Sequence, residues 1–141
     1  MKILIVEDQK FPLESLESAV ESVMPKADYD IAKWYKQAEE LIETKKYDLV
    51  ILDHRMPYED PGCTEDTDEE KFFASLREIG YTLIPVIKKK DPKTIVIGTS
   101  SLEKSLLEKY KPGPDYQISK MYGEAETELK RVMEEIQHKE A

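Results

Sequence analysis

Four apolar runs in this chain each give way to a group that can do chemistry. "KILIV" (2–6) runs into Glu7 and Asp8, "DLVIL" (48–52) into Asp53, "TIVIG" (94–98) into Thr99 and Ser100, and "DYQIS" (115–119) into Lys120. Three carboxylates brought to one place repel one another and raise each other's pKa unless a cation joins them. A hard divalent ion answers that need. Mg²⁺ takes oxygen ligands and binds through one or two protein carboxylates together with waters and phosphate oxygens. Lys120, a mobile point charge, suits a phosphate or carboxylate oxygen across such a site. An aspartate beside Mg²⁺ and a lysine can attack phosphorus and become an aspartyl-phosphate. A hydroxyl such as Thr99 can then bond the new phosphoryl oxygens.

The elements between these groups must carry them to one rim. Leu49 to Leu52 is a continuous apolar run, the mark of a strand buried on both faces, and Lys2–Val6 reads the same way. Between strands the apolar spacing turns helical. Leu13, Leu16, Val20 and Val23 mark a first helix over 12–24, stopped by Pro25, and Ala38, Leu41 and Ile42 mark a second. "DYDIAK" reads as a weaker strand between them. Thr67 followed by Glu70 is a capping-box signature. It opens a face of Phe72, Leu76, Ile79, Leu83 and Ile87 that predicts one elongated third helix, kinked at Pro85. Leu102 to Tyr110 predicts a fourth helix, and Glu124 to about His138 a last one. Strands alternating with helices imply an α/β fold, a doubly wound parallel sheet with helices on both faces. Ligands of such sheets bind outside the carboxyl ends of the strands. Glu7, Asp8, Asp53, Thr99 and Lys120 all stand at those ends.

Composition limits the alternatives. At 141 residues the chain fits a single domain, 1–141. With 40% hydrophobic and 36% charged residues it has the balance of a globular protein. No apolar run reaches the roughly 20 residues of a membrane span, and "MKILIVEDQ" has no signal-peptide cleavage pattern. The lone Cys63 excludes an internal disulfide and is consistent with a cytoplasmic setting. Net charge is −9, which disfavours nucleic acid as a direct partner. Much of that excess lies in "EDPGCTEDTDEE" (59–70), an acidic block without a base, inside a loop-and-helix region at about 58–90. Asp66, Asp68 and Glu70 do not form a calcium loop, because Lys71 stands where the sharp-turn glycine is required. His54 reads as a loop residue.

At "ILIVEDQ", "LVILDHRMP", "IVIGTS" and "YQISK" the chain resembles the receiver domains of two-component response regulators. The resemblance follows nearly the whole chain in order. It implies a flavodoxin-like sheet of order 2-1-3-4-5 and a phosphoprotein of signal transduction rather than an enzyme with turnover. By it Asp53 is the phosphoacceptor, and Asp8, Asp53 and the backbone carbonyl of Arg55 ligate Mg²⁺, with Glu7 acting through a bound water. Thr99 is the switch hydroxyl and Lys120 the phosphate-contacting group, while Arg55 and Ser101 border the path of the hydrolytic water. The implied partners are a sensor histidine kinase or histidine phosphotransfer protein upstream and a protein target in trans downstream. A phosphorylation-dependent homodimer is also within the family's range, and membrane insertion is not. Two departures stand out. Met121 follows the lysine where the family usually has proline. Gln117 occupies a position, three before the lysine, that often carries an aromatic. The alternative is a haloacid-dehalogenase-like phosphatase, which also uses an aspartate nucleophile. That family carries a second aspartate two residues after the first, where this chain has Arg55.

Overall fold

A computed structural model describes residues 1–100 and 108–140. Strands β1 (Lys2–Val6), β2 (Asp28–Ala32), β3 (Leu49–Leu52), β6 (Ile95–Gly98) and β7 (Tyr116–Gln117) form one parallel sheet, ordered β2-β1-β3-β6-β7. This is the 2-1-3-4-5 order that the resemblance implies. Register is continuous across it: Val6 pairs with Ala32 and Leu52, Leu52 with Gly98, and Gly98 with Gln117.

Because side chains alternate across a strand, the sheet sorts its residues into two cores. Ile3, Ile5, Leu49, Ile51 and Ile97 face α1 (Lys10–Val23) and the C-terminal helix Glu124–Glu140. Leu4, Val6, Val50, Leu52 and Val96 face the other side, against α2 (Tyr35–Thr44), Leu83, Ile84 and Ile87. The central strands β1, β3 and β6 are buried on both faces, so their apolar runs have no polar alternation.

The elongated third helix does not form. In its place are α3 (Glu69–Ala74), a short strand β5 (Leu76–Glu78), a 3₁₀ turn over Gly80–Leu83 and α4 (Ile84–Lys90). β5 pairs antiparallel with β4 (Arg55–Pro57), in a small second sheet just beyond Asp53. The periodic apolar face is real, but Gly80 disfavours helix in its middle, and Pro85 is accommodated in the first turn of α4. The N-cap of α3 is Asp68, whose carboxylate accepts the Lys71 N–H at 3.1 Å, one residue later than the capping-box reading. Thr67 bonds Thr64 instead. The C-terminal helix, here α5, runs to Glu140. The expected helix over Leu102 to Tyr110 lies largely outside the described residues. Among the described residues the cis peptide is Lys111–Pro112, and Lys120–Met121 is trans.

Candidate functional site

The parallel ladder runs one residue past the strands and sets the site. Glu7 N–H donates to Ala32 O, Asp53 N–H to Val6 O, and Thr99 N–H to Leu52 O, at 3.0, 3.1 and 3.1 Å. Glu7, Asp53 and Thr99 therefore stand at neighbouring strand ends. Ile118 N–H donates to Gly98 O at 3.0 Å, which brings Lys120 to the same rim two residues later.

Lys120 Nζ lies 2.9 Å from Glu7 Oε1 and 3.2 Å from Asp53 Oδ2. Glu7 is wholly buried, and Asp53 and Asp8 nearly so. Oxygens of Glu7, Asp8 and Asp53 lie within 4.8 Å of one another. Lys120 pairs with Glu7 and Asp53; both carboxylate oxygens of Asp8 are buried without a hydrogen-bond partner among the described residues. An unpaired buried carboxylate is costly, and the cost falls on its charged form. Burial, with the neighbouring charges of Glu7 and Asp53, pushes Asp8 up to about 9. Burial and Asp53 also raise Glu7, against the opposing pull of Lys120. Burial favours the neutral amine of Lys120, but the two carboxylates outweigh it and raise its pKa. Three oxygen donors around an orphaned carboxylate fit a hard divalent cation.

The rest of the site rests on residues that the sequence reading passed over. His54 lies in the bend between β3 and β4, as a loop residue would, but it is buried there. Its N–H donates to Asp53 Oδ1 at 2.9 Å, and its carbonyl accepts the Ile79 and Gly80 N–H groups at 3.0 and 2.8 Å. Its ring Nδ1 accepts the Tyr81 N–H at 3.0 Å, and Nε2 meets the Tyr110 hydroxyl at 2.9 Å. An Nδ1 that accepts leaves the proton on Nε2, and burial lowers the pKa of this ring. Gly80 is required here because a Cβ would collide with the Asp53 carbonyl and lie 2.8 Å from His54 Cα. A glycine inside an otherwise helical face is the signal that could have exposed this arrangement.

Arg55 opens β4 with its side chain in solvent, two residues after Asp53. Thr99 is buried, and its hydroxyl has no partner among the described residues. Ser101 lies outside the described residues. The acidic loop meets both α1, through Glu65 and the Lys10 N–H, and the start of α2. Tyr58 stacks on Tyr35 with ring centroids 5.5 Å apart, and Lys36 pairs with Glu59 at 3.4 Å. Between this loop and α1 lies a cavity of about 800 Å³ that reaches Asp8 and is walled by Leu13, Trp34, Pro57, Pro61 and Phe72.

No family model matches the chain, and no curated protein matches it in sequence. Solved structures do match in fold. A signal receiver domain of a DNA-binding response regulator from Colwellia psychrerythraea superposes with TM-score 0.69 at 23% identity, covering 98% of each chain. A CheY-like response regulator receiver domain from Methanospirillum hungatei gives 0.67 at 21%, covering 99% of this chain and 95% of the other. The receiver domain of a Pseudomonas aeruginosa sensor histidine kinase, with a magnesium ion coordinated in its active-site cleft, gives 0.66 at 17%, covering 95% and 94%. The chain has the receiver-domain form of the flavodoxin-like fold.

Proposed function

We propose that this chain is a phosphorylation-controlled signalling module in which Asp53 accepts a phosphoryl group. The observation that carries the reading is the Lys120 ammonium bridging Glu7 and Asp53 beside the orphaned Asp8 carboxylate. A buried nucleophile, a cation site and a lysine then share one rim. Asp8 and Asp53, with the backbone carbonyl of Arg55, would hold Mg²⁺, and Glu7 would act through a water. The bound ion would supply charge neutralisation for an incoming phosphate dianion.

The donor is a phosphohistidine of a sensor kinase or phosphotransfer protein. An Asp53 carboxylate oxygen forms the new P–O bond as the P–N bond breaks. The imidazole nitrogen leaves with the electron pair and takes up a proton. His54 N–H holds Asp53 Oδ1, which fixes the carboxylate plane for attack. Lys120 moves from its carboxylate partners to the phosphoryl oxygens, and the unbonded Thr99 hydroxyl donates to another. Arg55 and Ser101 modulate hydrolysis. The phosphoform is read by a protein target in trans, in a cytoplasmic setting. The phosphatase alternative gains no support, since its second carboxylate would have to stand at Arg55.

Intact mass after treatment with acetyl phosphate and Mg²⁺ tests this. One added phosphoryl group is expected, absent in Asp53→Asn and in chelator. Uptake that persists in either would overturn the assignment.

A further inference from the structure

Tyr81 is the largest fully buried side chain among the described residues, and its hydroxyl ends beside the loop that leaves β6. The Ser100 N–H donates to that hydroxyl at 3.2 Å. The hydrogen-bond network orients the Gln117 amide so that its nitrogen donates to Gly98 O at 3.3 Å and Ser100 O at 3.1 Å. Its oxygen then faces the Tyr81 hydroxyl, 3.3 Å away, and accepts from it. Gly98 makes room, because a Cβ there would collide with the Tyr81 hydroxyl. The residues on both sides of Thr99 are thereby pinned, while the Thr99 hydroxyl has no partner among the described residues.

The other end of Tyr81 reaches Asp53. Its N–H donates to His54 Nδ1, and the His54 backbone N–H donates to the Asp53 carboxylate. The His54 ring packs between Tyr81 and Tyr110, with centroids 4.7 Å from each.

We infer that Tyr81 is a positioning residue: its hydroxyl, with Gln117, latches the Thr99 loop in the unphosphorylated arrangement. This rests on the phosphoacceptor reading of Asp53. Tyr81 enters from the 3₁₀ turn after β5 and fills the space beside Gln117, the β7 position at which this chain has no aromatic. For Thr99 to reach a phosphoryl group, the Ser100 N–H must leave the Tyr81 hydroxyl. Tyr81→Phe keeps the ring and removes that acceptor. Loss of one neutral hydrogen bond shifts a two-state equilibrium by about five-fold.

The test is amide NMR of the full chain with Mg²⁺, with and without beryllofluoride, on wild type and Tyr81→Phe. Without beryllofluoride, Tyr81→Phe resonances of Thr99, Ser100 and Gln117 should already lie part-way along the line from the free to the beryllofluoride-bound wild type. Gln117→Leu, which loses the other half of the latch, should move along the same line. A purely structural role would scatter shifts off that line. Shifts off it, or none, in both variants would overturn the inference while wild type still responds. A wild type that ignores beryllofluoride would instead overturn the phosphoacceptor reading, and the latch with it.

Discussion

The backbone N–H of Lys10 donates to the carboxylate of Glu65, 55 residues away, at 2.6 Å. The N-cap of α1, Gln9, supplies no side-chain cap of its own, so an acid from the distant loop does that work. The contact also draws the acidic block across the α1 side of the site. Glu65→Gln should lower stability by about 1 kcal/mol, as lost caps and helix-end charges do. It should also release the loop. Reaction of Cys63, two residues away, with an uncharged thiol reagent should quicken. Phosphorylation of Asp53 by acetyl phosphate should speed up, and the wild-type rate should rise with ionic strength as the acidic field is screened. Unchanged labelling and uptake would show that the loop does not guard the site.

Proton binding at Asp8 should make stability fall with pH when no divalent ion is present. The folded carboxyl titrates near 9, against an ordinary value of 3.8. Between those values the folded state holds a proton that the unfolded state has lost, so the folded state loses ground as pH rises. Urea midpoints in chelator should decline from about pH 5 to about pH 9, and Asp8→Asn should flatten the decline. Mg²⁺ should bind more tightly as pH rises, by at most about tenfold per unit, because it displaces that proton. Calorimetry in buffers of differing ionisation enthalpy would count it. A pH-independent midpoint and no proton release would mean Asp8 is already ionised.

Gly80→Ala should be among the most damaging single-methyl changes in the chain. The added Cβ would press on backbone, the Asp53 carbonyl and His54 Cα, neither of which can swing aside. Overpacking of this kind costs about 3 kcal/mol. Because the strain falls on the Asp53 carbonyl, phosphorylation by acetyl phosphate should slow even where the protein remains folded at low temperature. Wild-type stability in this variant, measured by urea unfolding, would place the β5–3₁₀ junction elsewhere.

Arg55 should lengthen the life of the phosphoform. Its side chain is exposed at the head of β4, free to bond phosphoryl oxygens and shield phosphorus from water. Arg55→Ala should speed hydrolysis by about five-fold, followed as loss of the added mass after the donor is removed. Slower hydrolysis would assign the guanidinium to orienting water instead.

The apolar runs by themselves determined the parallel sheet and the carboxylates at its rim, while the strand order came with the resemblance. A buried parallel strand needs an unbroken apolar sequence, and right-handed crossovers leave few orders to choose from. Glu7, Asp8, Asp53 and Lys120 were legible because strand ends in such a sheet converge whatever their spacing in the chain. The surroundings of Asp53 were not legible. Leu76 and Ile79 keep a helical spacing, yet Leu76–Glu78 pairs with Arg55–Pro57 because an edge beyond Asp53 was open to it. That pairing delivers Gly80 and Tyr81 to the His54 carbonyl and ring. Periodicity records which residues are apolar, not which partner satisfies the backbone, and short segments are settled by tertiary hydrogen bonds. That the loop residue His54 is buried was not legible, because nothing local shows that two tyrosines, 27 and 56 positions on, close over it.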